Sequence, residues 1–261
     1  MKILMCVGSY RKGGNTDRIV NLIKAHLQVE ADRHQTALEL ETLYLGHLAI
    51  APCRGCRACF DQGEDKCPLK DDLLSVKTKM RQADGLLIAS PVYVDDVSGI
   101  TKTWIDRLAH VCHRPEFAGK CACLVTTVGS SPTSHALGTL SLALSTWGFY
   151  IAAQAGFKMG ALLPAEDAKK RYEAQAEKIA RQFFQAIHQR KFSRPTFRAL
   201  MTFRIQQQFW QKAATDQADY RYWQEQGWLD PRRDFYQPHR ASPVKVALAR
   251  FTGGLLAKFV A

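Results

Sequence analysis

The sequence predicts an α/β protein built on a doubly wound, parallel, five-stranded sheet. Three observations carry this reading. Five short strand-like runs, at 2–7, 36–44, 85–89, 121–128 and 149–155, are spaced along the first two-thirds of the 261-residue chain. Stretches with helical apolar spacing alternate with them. The first, third and fourth runs each lead into a loop rich in Gly, Ser, Thr or Pro, at 8–16, 90–98 and 126–133. Short apolar strands alternating with helices imply a parallel sheet covered on both faces. Strand order 2-1-3-4-5 brings the three loops to one edge, at the carboxyl ends of the strands, where such sheets bind ligands.

The elements follow in order. The first run, Ile3 to Val7, ends at Gly8. Thr16 is placed to cap a helix reaching about Val29, with Ile19, Leu22, Ile23 and Leu27 on one face. Asp71 and Asp72 suit the positive end of a helix running to about Gln82. Further helices are expected from Ser98 to His110, from Ser134 to Trp147 and from Ala165 to Arg190. These elements make up a domain over 1–190. Residues 191–261 change character and form a basic, aromatic helical extension, with helices expected near 195–214, 216–226 and 244–260.

Composition bounds the function classes. A chain with 46% apolar residues can bury a core, and it has no apolar run of the length that crosses a bilayer. The first strand begins at the amino terminus with no signal-peptide pattern, so a cytoplasmic protein is expected. Net charge is +12, and from residue 189 onward there are 13 Lys or Arg against 5 Asp or Glu. The charge therefore belongs mostly to the extension. A helical cap on its own domain or on a dimer mate is the first reading of the extension. A basic amphipathic helix over Val244–Phe259, touching a membrane surface, is the second. Nucleic acid has only charge and aromatics in its favour, with no binding motif.

The loop after the first strand has the make-up of an anion site. Gly8, Gly13 and Gly14 let backbone approach a phosphate, while Ser9, Arg11, Asn15 and Thr16 supply donors at a helix start. It has neither the Lys-Ser/Thr ending of a P-loop nor the Gly-x-Gly-x-x-Gly of a dinucleotide site.

Four of the eight cysteines, Cys53, Cys56, Cys59 and Cys67, fall within 15 residues. Cys-x2-Cys-x2-Cys followed by Cys-Pro is the spacing by which thiolates wrap a [4Fe–4S] cluster, although the seven-residue gap before Cys67 is long. Zinc also takes four thiolates, and a loop of reduced, empty thiols is the third reading. Cys6, Cys121 and Cys123 lie in apolar runs and are expected in the core.

Taken together, Gly8-Ser9…Gly14-Asn15-Thr16, the four cysteines, Asp71-Asp72, Ala83-Asp84-Gly85, Ser90-Pro91-Val92-Tyr93 and Lys102…Asp106-Arg107 resemble, in order, the iron–sulfur flavoprotein group. That group belongs to the NADPH-dependent FMN reductase-like proteins of flavodoxin fold. The resemblance covers residues 1 to about 190. It implies FMN, with its phosphate on Ser9, Arg11, Gly14, Asn15 and Thr16. It implies an isoalloxazine ring along Ser90, Pro91, Val92 and Tyr93 and near the loop bearing Thr126, Thr127 and Gly129. It further implies an NAD(P)H-dependent oxidoreductase passing electrons through FMN to a [4Fe–4S] cluster or to a soluble acceptor such as a quinone. A homodimer or tetramer is implied as well. A non-enzymatic electron carrier and a zinc-stabilised flavodoxin-like binding module are the alternatives. No side chain stands out as the acid or base, and an ion-pair role for Lys102, Asp106 and Arg107 competes with a catalytic one.

Overall fold

The computed structural model describes residues 1–160, 164–191, 194–213 and 216–259. Strand β1 (Lys2–Val7) leads to helix α1 (Asn15–Arg33) and strand β2 (Glu39–Tyr44). A long segment carrying the cysteines and the single-turn helix α2 (Ala58–Asp61) runs to helix α3 (Leu73–Gln82). Then come β3 (Gly85–Tyr93), β4 (Asp96–Val97), α4 (Gly99–Arg107), β5 (Cys121–Val128), α5 (Ser134–Thr146), β6 (Tyr150–Lys158) and α6 (Ala165–His188). Helices α7 (Phe197–Ala213), α8 (Ala218–Glu225) and α9 (Pro243–Leu256) complete the described chain.

The sheet order is β2-β1-β3-β5-β6, and all these neighbours pair in parallel. This is the flavodoxin-like order expected for the five main strands. The two-residue β4, which the sequence did not reveal, pairs antiparallel with the end of β3. It is too short to carry an alternating pattern, and it forms because β3 folds back through a two-residue turn at Val94 and Asp95.

Side chains alternate across the sheet with period two. Ile3, Met5, Val7, Leu87, Ala89 and Val125 face a core filled by Ile19, Ile23 and Leu27 of α1 and Ile179, Phe183 and Phe184 of α6. Leu4, Cys6, Leu86, Ile88 and Leu124 face the other core, with Met80, Trp104, Leu140 and Trp147 from α3, α4 and α5 and their flanks. Cys6, Cys121 and Cys123 are buried. Burial pushes the thiols of Cys6 and Cys123 up to about 12, so they act as small apolar groups.

The extension has an aromatic core of its own. Leu200, Phe203, Trp210, Trp223, Trp228, Phe235 and Tyr236 cluster with Ala249 of α9. Gln207 is fully buried among them and donates from one amide nitrogen to the carbonyls of Trp228, Asp230 and Arg233, which ties the irregular stretch to α7. The extension also packs on its own domain. Trp223 Nε1 donates to the His113 carbonyl at 2.7 Å and Gln206 to the Cys112 carbonyl at 2.9 Å. No helix among the described residues is long and apolar enough to cross a membrane.

Candidate flavin cleft and cysteine pocket

Strands β1, β3 and β5 deliver their loops to one cleft. A cavity of about 370 Å³ is lined by Gly8, Ser9, Tyr10, Arg11, Ile50, Pro52, Tyr93 and the start of α4. A smaller lobe of about 90 Å³ shares Ser9, Arg11 and Tyr93 and adds Gly14, Asn15, Thr16, Pro91, Val92, Thr127 and Gly129. Ten of the twelve residues expected around the flavin therefore line this lobe. Ser90 and Thr126 do not: both are fully buried behind it. Ser90 Oγ accepts from Ser98 N and Thr101 Oγ1, so it braces the cleft wall from behind.

The backbone explains the first loop. Gly8 N donates to the Ala89 carbonyl at 2.7 Å, and its own carbonyl accepts from Ser98 Oγ at 2.7 Å. A Cβ on Gly8 would sit 1.8 Å from Thr101 Oγ1, so only glycine lets β1 and α4 meet this closely. Gly14, not Thr16, holds the N-cap position of α1, and no side chain caps that end. The first amides of α1 are thus left for an anion, together with the positive end of a 19-residue helix. Thr16 lies inside the first turn, and its hydroxyl is bonded to Thr127 Oγ1 at 2.6 Å. The expected cap is instead a tether between the first and third loops. Asp17 takes the Gly13 N–H at 2.7 Å and the Tyr44 hydroxyl at 2.5 Å. That carboxylate pushes Tyr44 up to about 12.

On the opposite wall, Tyr93 is half exposed and Val94 fully exposed at the tip of the β3–β4 hairpin. Val94 and Asp95 both have positive φ, 49° and 67°, the geometry of a type I′ turn. A β-branched residue in that region is a genuine backbone outlier.

Pro52 lines the flavin cleft, and Cys53, the next residue, lines the cysteine pocket. This second cavity, of about 100 Å³, is bordered by all four cysteines of the cluster, by Arg54, Arg57 and Arg107, and by Glu64 and His110. Arg107, which lines it, is buried. Arg107 Nη1 donates to the Ala51 carbonyl at 2.7 Å and to Asp71 at 2.6 Å, and Nη2 reaches Asp71 at 3.1 Å and Cys67 Sγ at 3.9 Å. One guanidinium thus joins both ends of the cysteine segment to α4. Burial works against the Asp71 carboxylate, but Arg107 and the amides of Ala51 and Leu73 outweigh it and hold its pKa below the usual value. Lys102 and Asp106 pair with each other at 2.5 Å on the α4 surface.

Cys53 and Cys56 are exposed, while Cys59 and Cys67 are partly buried. Burial, then the neighbouring Cys67, raises the pKa of Cys59, against the pull of Arg114. The donor set is all thiol, with arginines at hand to balance thiolate charge, which suits a cluster or zinc. Among the described residues, no three His, Cys, Asp or Glu side chains are gathered closely enough to hold an ion.

A largely buried charge group that the sequence did not reveal borders this pocket through Glu64 and His110. Lys77, 1% exposed, pairs with Glu64 and Glu116, and Arg81 bridges the same two carboxylates. His110 Nε2 lies 2.9 Å from Glu64. The only trace of the group in sequence is a lysine on the apolar stripe of α3, between Val76 and Met80.

A family model described as NADPH-dependent FMN reductase matches residues 1–161. An iron–sulfur flavoprotein of Archaeoglobus fulgidus is 27% identical over 239 residues, covering 88% of this chain and 100% of its own. An iron–sulfur flavoprotein of Methanosarcina thermophila is 38% identical over 120 residues, covering 46% of this chain and 58% of its own. Among solved structures, RosB with bound 8-demethyl-8-formylriboflavin-5′-phosphate superposes with a TM-score of 0.55 at 16% identity, covering 73% of this chain and 79% of that one. That likeness is one of fold. The chain belongs to the NADPH-dependent FMN reductase family and is an NAD(P)H-dependent FMN oxidoreductase.

Proposed function

We propose that electrons taken from NAD(P)H leave the flavin site through a [4Fe–4S] centre held by Cys53, Cys56, Cys59 and Cys67, or pass directly to a soluble acceptor such as a quinone. FMN supplies two-electron chemistry with the nicotinamide and one-electron chemistry with a cluster. The observation that carries the reading is the adjacency of Pro52, which lines the flavin cleft, and Cys53, which lines the thiol pocket.

The chain's residues divide the work. Ser9, Arg11, Asn15 and the open amides of α1 bind the phosphate. Pro91, Val92 and Tyr93 form an apolar bed for the ring. Thr16 and Thr127 tie the phosphate loop to the end of β5 through their shared hydrogen bond. Arg107 holds the cysteine segment against α4. The names of the Archaeoglobus and Methanosarcina relatives favour a cluster over zinc. Family resemblance supports a homodimer or tetramer as the working assembly.

The test is the visible spectrum of anaerobically purified protein, with iron and sulfide assays, before and after NADPH. Flavin bands with a broad iron–sulfur absorption, both bleached by NADPH, are expected. FMN with zinc and no iron would remove the cluster and keep the reductase. FMN and cluster without NADPH oxidation would favour an electron carrier.

A further inference from the structure

We propose that the outer face of α9 is a docking surface for an anionic lipid membrane. A surface helix of a folded domain normally turns its large apolar side chains inward. Helix α9 does the reverse. Its inward face is made of small residues: Ala249, Gly253 and, just past its end, Ala257 are buried. A Cβ on Gly253 would fall 2.8 Å from the Met201 carbonyl of α7, so the two helices touch backbone to backbone. The opposite face carries Val244, Leu248, Phe251 and Leu255, at steps of three and four residues, and Phe259 follows just past the helix end. Their exposures are 70%, 54%, 72%, 50% and 81%. Four large apolar groups in one line and a fifth just beyond it, all facing water, are more than scattered surface residues and mark an interaction surface.

Charge selects the occupant. Residues 235–261 contain Arg240, Lys245, Arg250 and Lys258 and no Asp or Glu. Arg250 donates to the carbonyls of Pro231 and Arg233, which pins the helix to the extension. Lys245 and Lys258 lie at the two ends of the apolar line. An apolar face with basic ends and no acidic group matches a helix lying in the plane of an anionic bilayer interface. A second copy of the chain fits less well. Two-fold antiparallel pairing of the line would bring the Lys245 end of one helix to the Lys258 end of the other, with no carboxylate in the helix to offset them.

The test uses the full chain loaded with FMN, sedimented with vesicles of phosphatidylglycerol and phosphatidylcholine in equal parts, or of phosphatidylcholine alone. Light scattering gives the mass without lipid. The comparison is the double variant Phe251→Glu/Leu255→Glu, which changes two exposed groups and leaves the α7 contact intact. Circular dichroism and flavin content check its folding. Co-sedimentation is expected with the anionic vesicles only, falling with added salt and about ten-fold or more in the variant. Failure to bind anionic vesicles, or equal binding by wild type and variant, overturns the proposal. A wild-type dimer that ignores vesicles and dissociates in the variant overturns it in favour of self-association.

Discussion

Asp219 of α8 stands 2.9 Å from Arg114, and Arg114 also donates to the carbonyl of Cys59. A residue of the C-terminal extension is thereby linked through one arginine to the segment that carries the cysteines. His113, beside it, contacts Asp219 at 2.7 Å and packs edge-on against Phe60 of α2. The extension is therefore part of the cysteine pocket's support.

Asp219→Ala leaves a nearly buried guanidinium without its carboxylate. Removing one partner of a buried ion pair costs about 3–5 kcal/mol. Urea unfolding should show a loss in that range, with faster amide exchange over 58–61 than in wild type. A loss below about 1 kcal/mol, the level of a surface pair, would mean that the link does not hold the loop.

The charge group bordering the pocket predicts acid sensitivity. Burial opposes ionisation of Glu64, but His110, Lys77 and Arg81 override it and hold its carboxyl well below the usual range. Burial lowers the pKa of His110, with Lys77 and Arg114 in the same direction and Glu64 opposing. Glu116, paired with Lys77 and Arg81, completes the charged surroundings. Both shifts have one sign in stability. A group with a depressed folded pKa contributes fully above its unfolded value and loses that contribution as pH falls through the folded one. The melting temperature should decline as pH drops below the ordinary histidine value of 6.5, and more steeply below the ordinary glutamate value of 4.5. Glu64→Gln should flatten the lower part of that curve. A variant profile parallel to wild type would show that Glu64 is not the responsible group.

The hairpin tip offers a stabilising change. Val94 holds a φ of 49° with its side chain fully in water, so no contact compensates the backbone. Val94→Asn places a residue that tolerates the left-handed region at the first position of a type I′ turn. The gain should be about 1 kcal/mol, or about 2–4 °C in melting temperature. A fall in melting temperature would show that the valine is held for another reason, such as contact with a ligand or a second molecule.

The phosphate loop predicts graded flavin loss. Arg11→Ala and Asn15→Ala each remove one donor to a charged group, worth about 1.5–3 kcal/mol, so FMN affinity should fall at least about ten-fold in a fluorescence titration. Gly8→Ala should be more severe, because its Cβ would collide with Thr101 at the junction of β1 and α4. Unchanged affinity in all three would place the phosphate elsewhere.

The fold was legible because its signals are local. The buried strands around Leu4, Leu87 and Leu124 are short apolar runs, and β5 begins and ends where the sequence places it, at Cys121 and Val128. The glycine loop after β1 was legible for the same reason. The roles of Thr16 and Asp71 were only half legible. Asp71 lies just before α3 as expected, but Thr16 lies inside the first turn of α1 and not at its cap; Thr16 bonds to Thr127 and Asp71 to Arg107, partners 111 and 36 residues away. Spacing along the chain carries no record of such pairings.

By itself, the sequence determined the alternation of buried strands and helices, the anion-ready loop and the four-thiol donor set, because periodicity, glycine placement and cysteine spacing are properties of neighbouring residues. Only the tertiary structure decided three further things. It gathered the four cysteines and Arg107 around one cavity. It gathered Glu64, Lys77, His110 and Glu116 into one largely buried charge group. It turned the large apolar residues of α9 outward. Each depends on which surfaces meet when the elements pack, and a helix with two usable faces buries the one that fits its neighbour most closely. For α9 that is the face of Ala249 and Gly253, which leaves Phe251 and Leu255 in solvent.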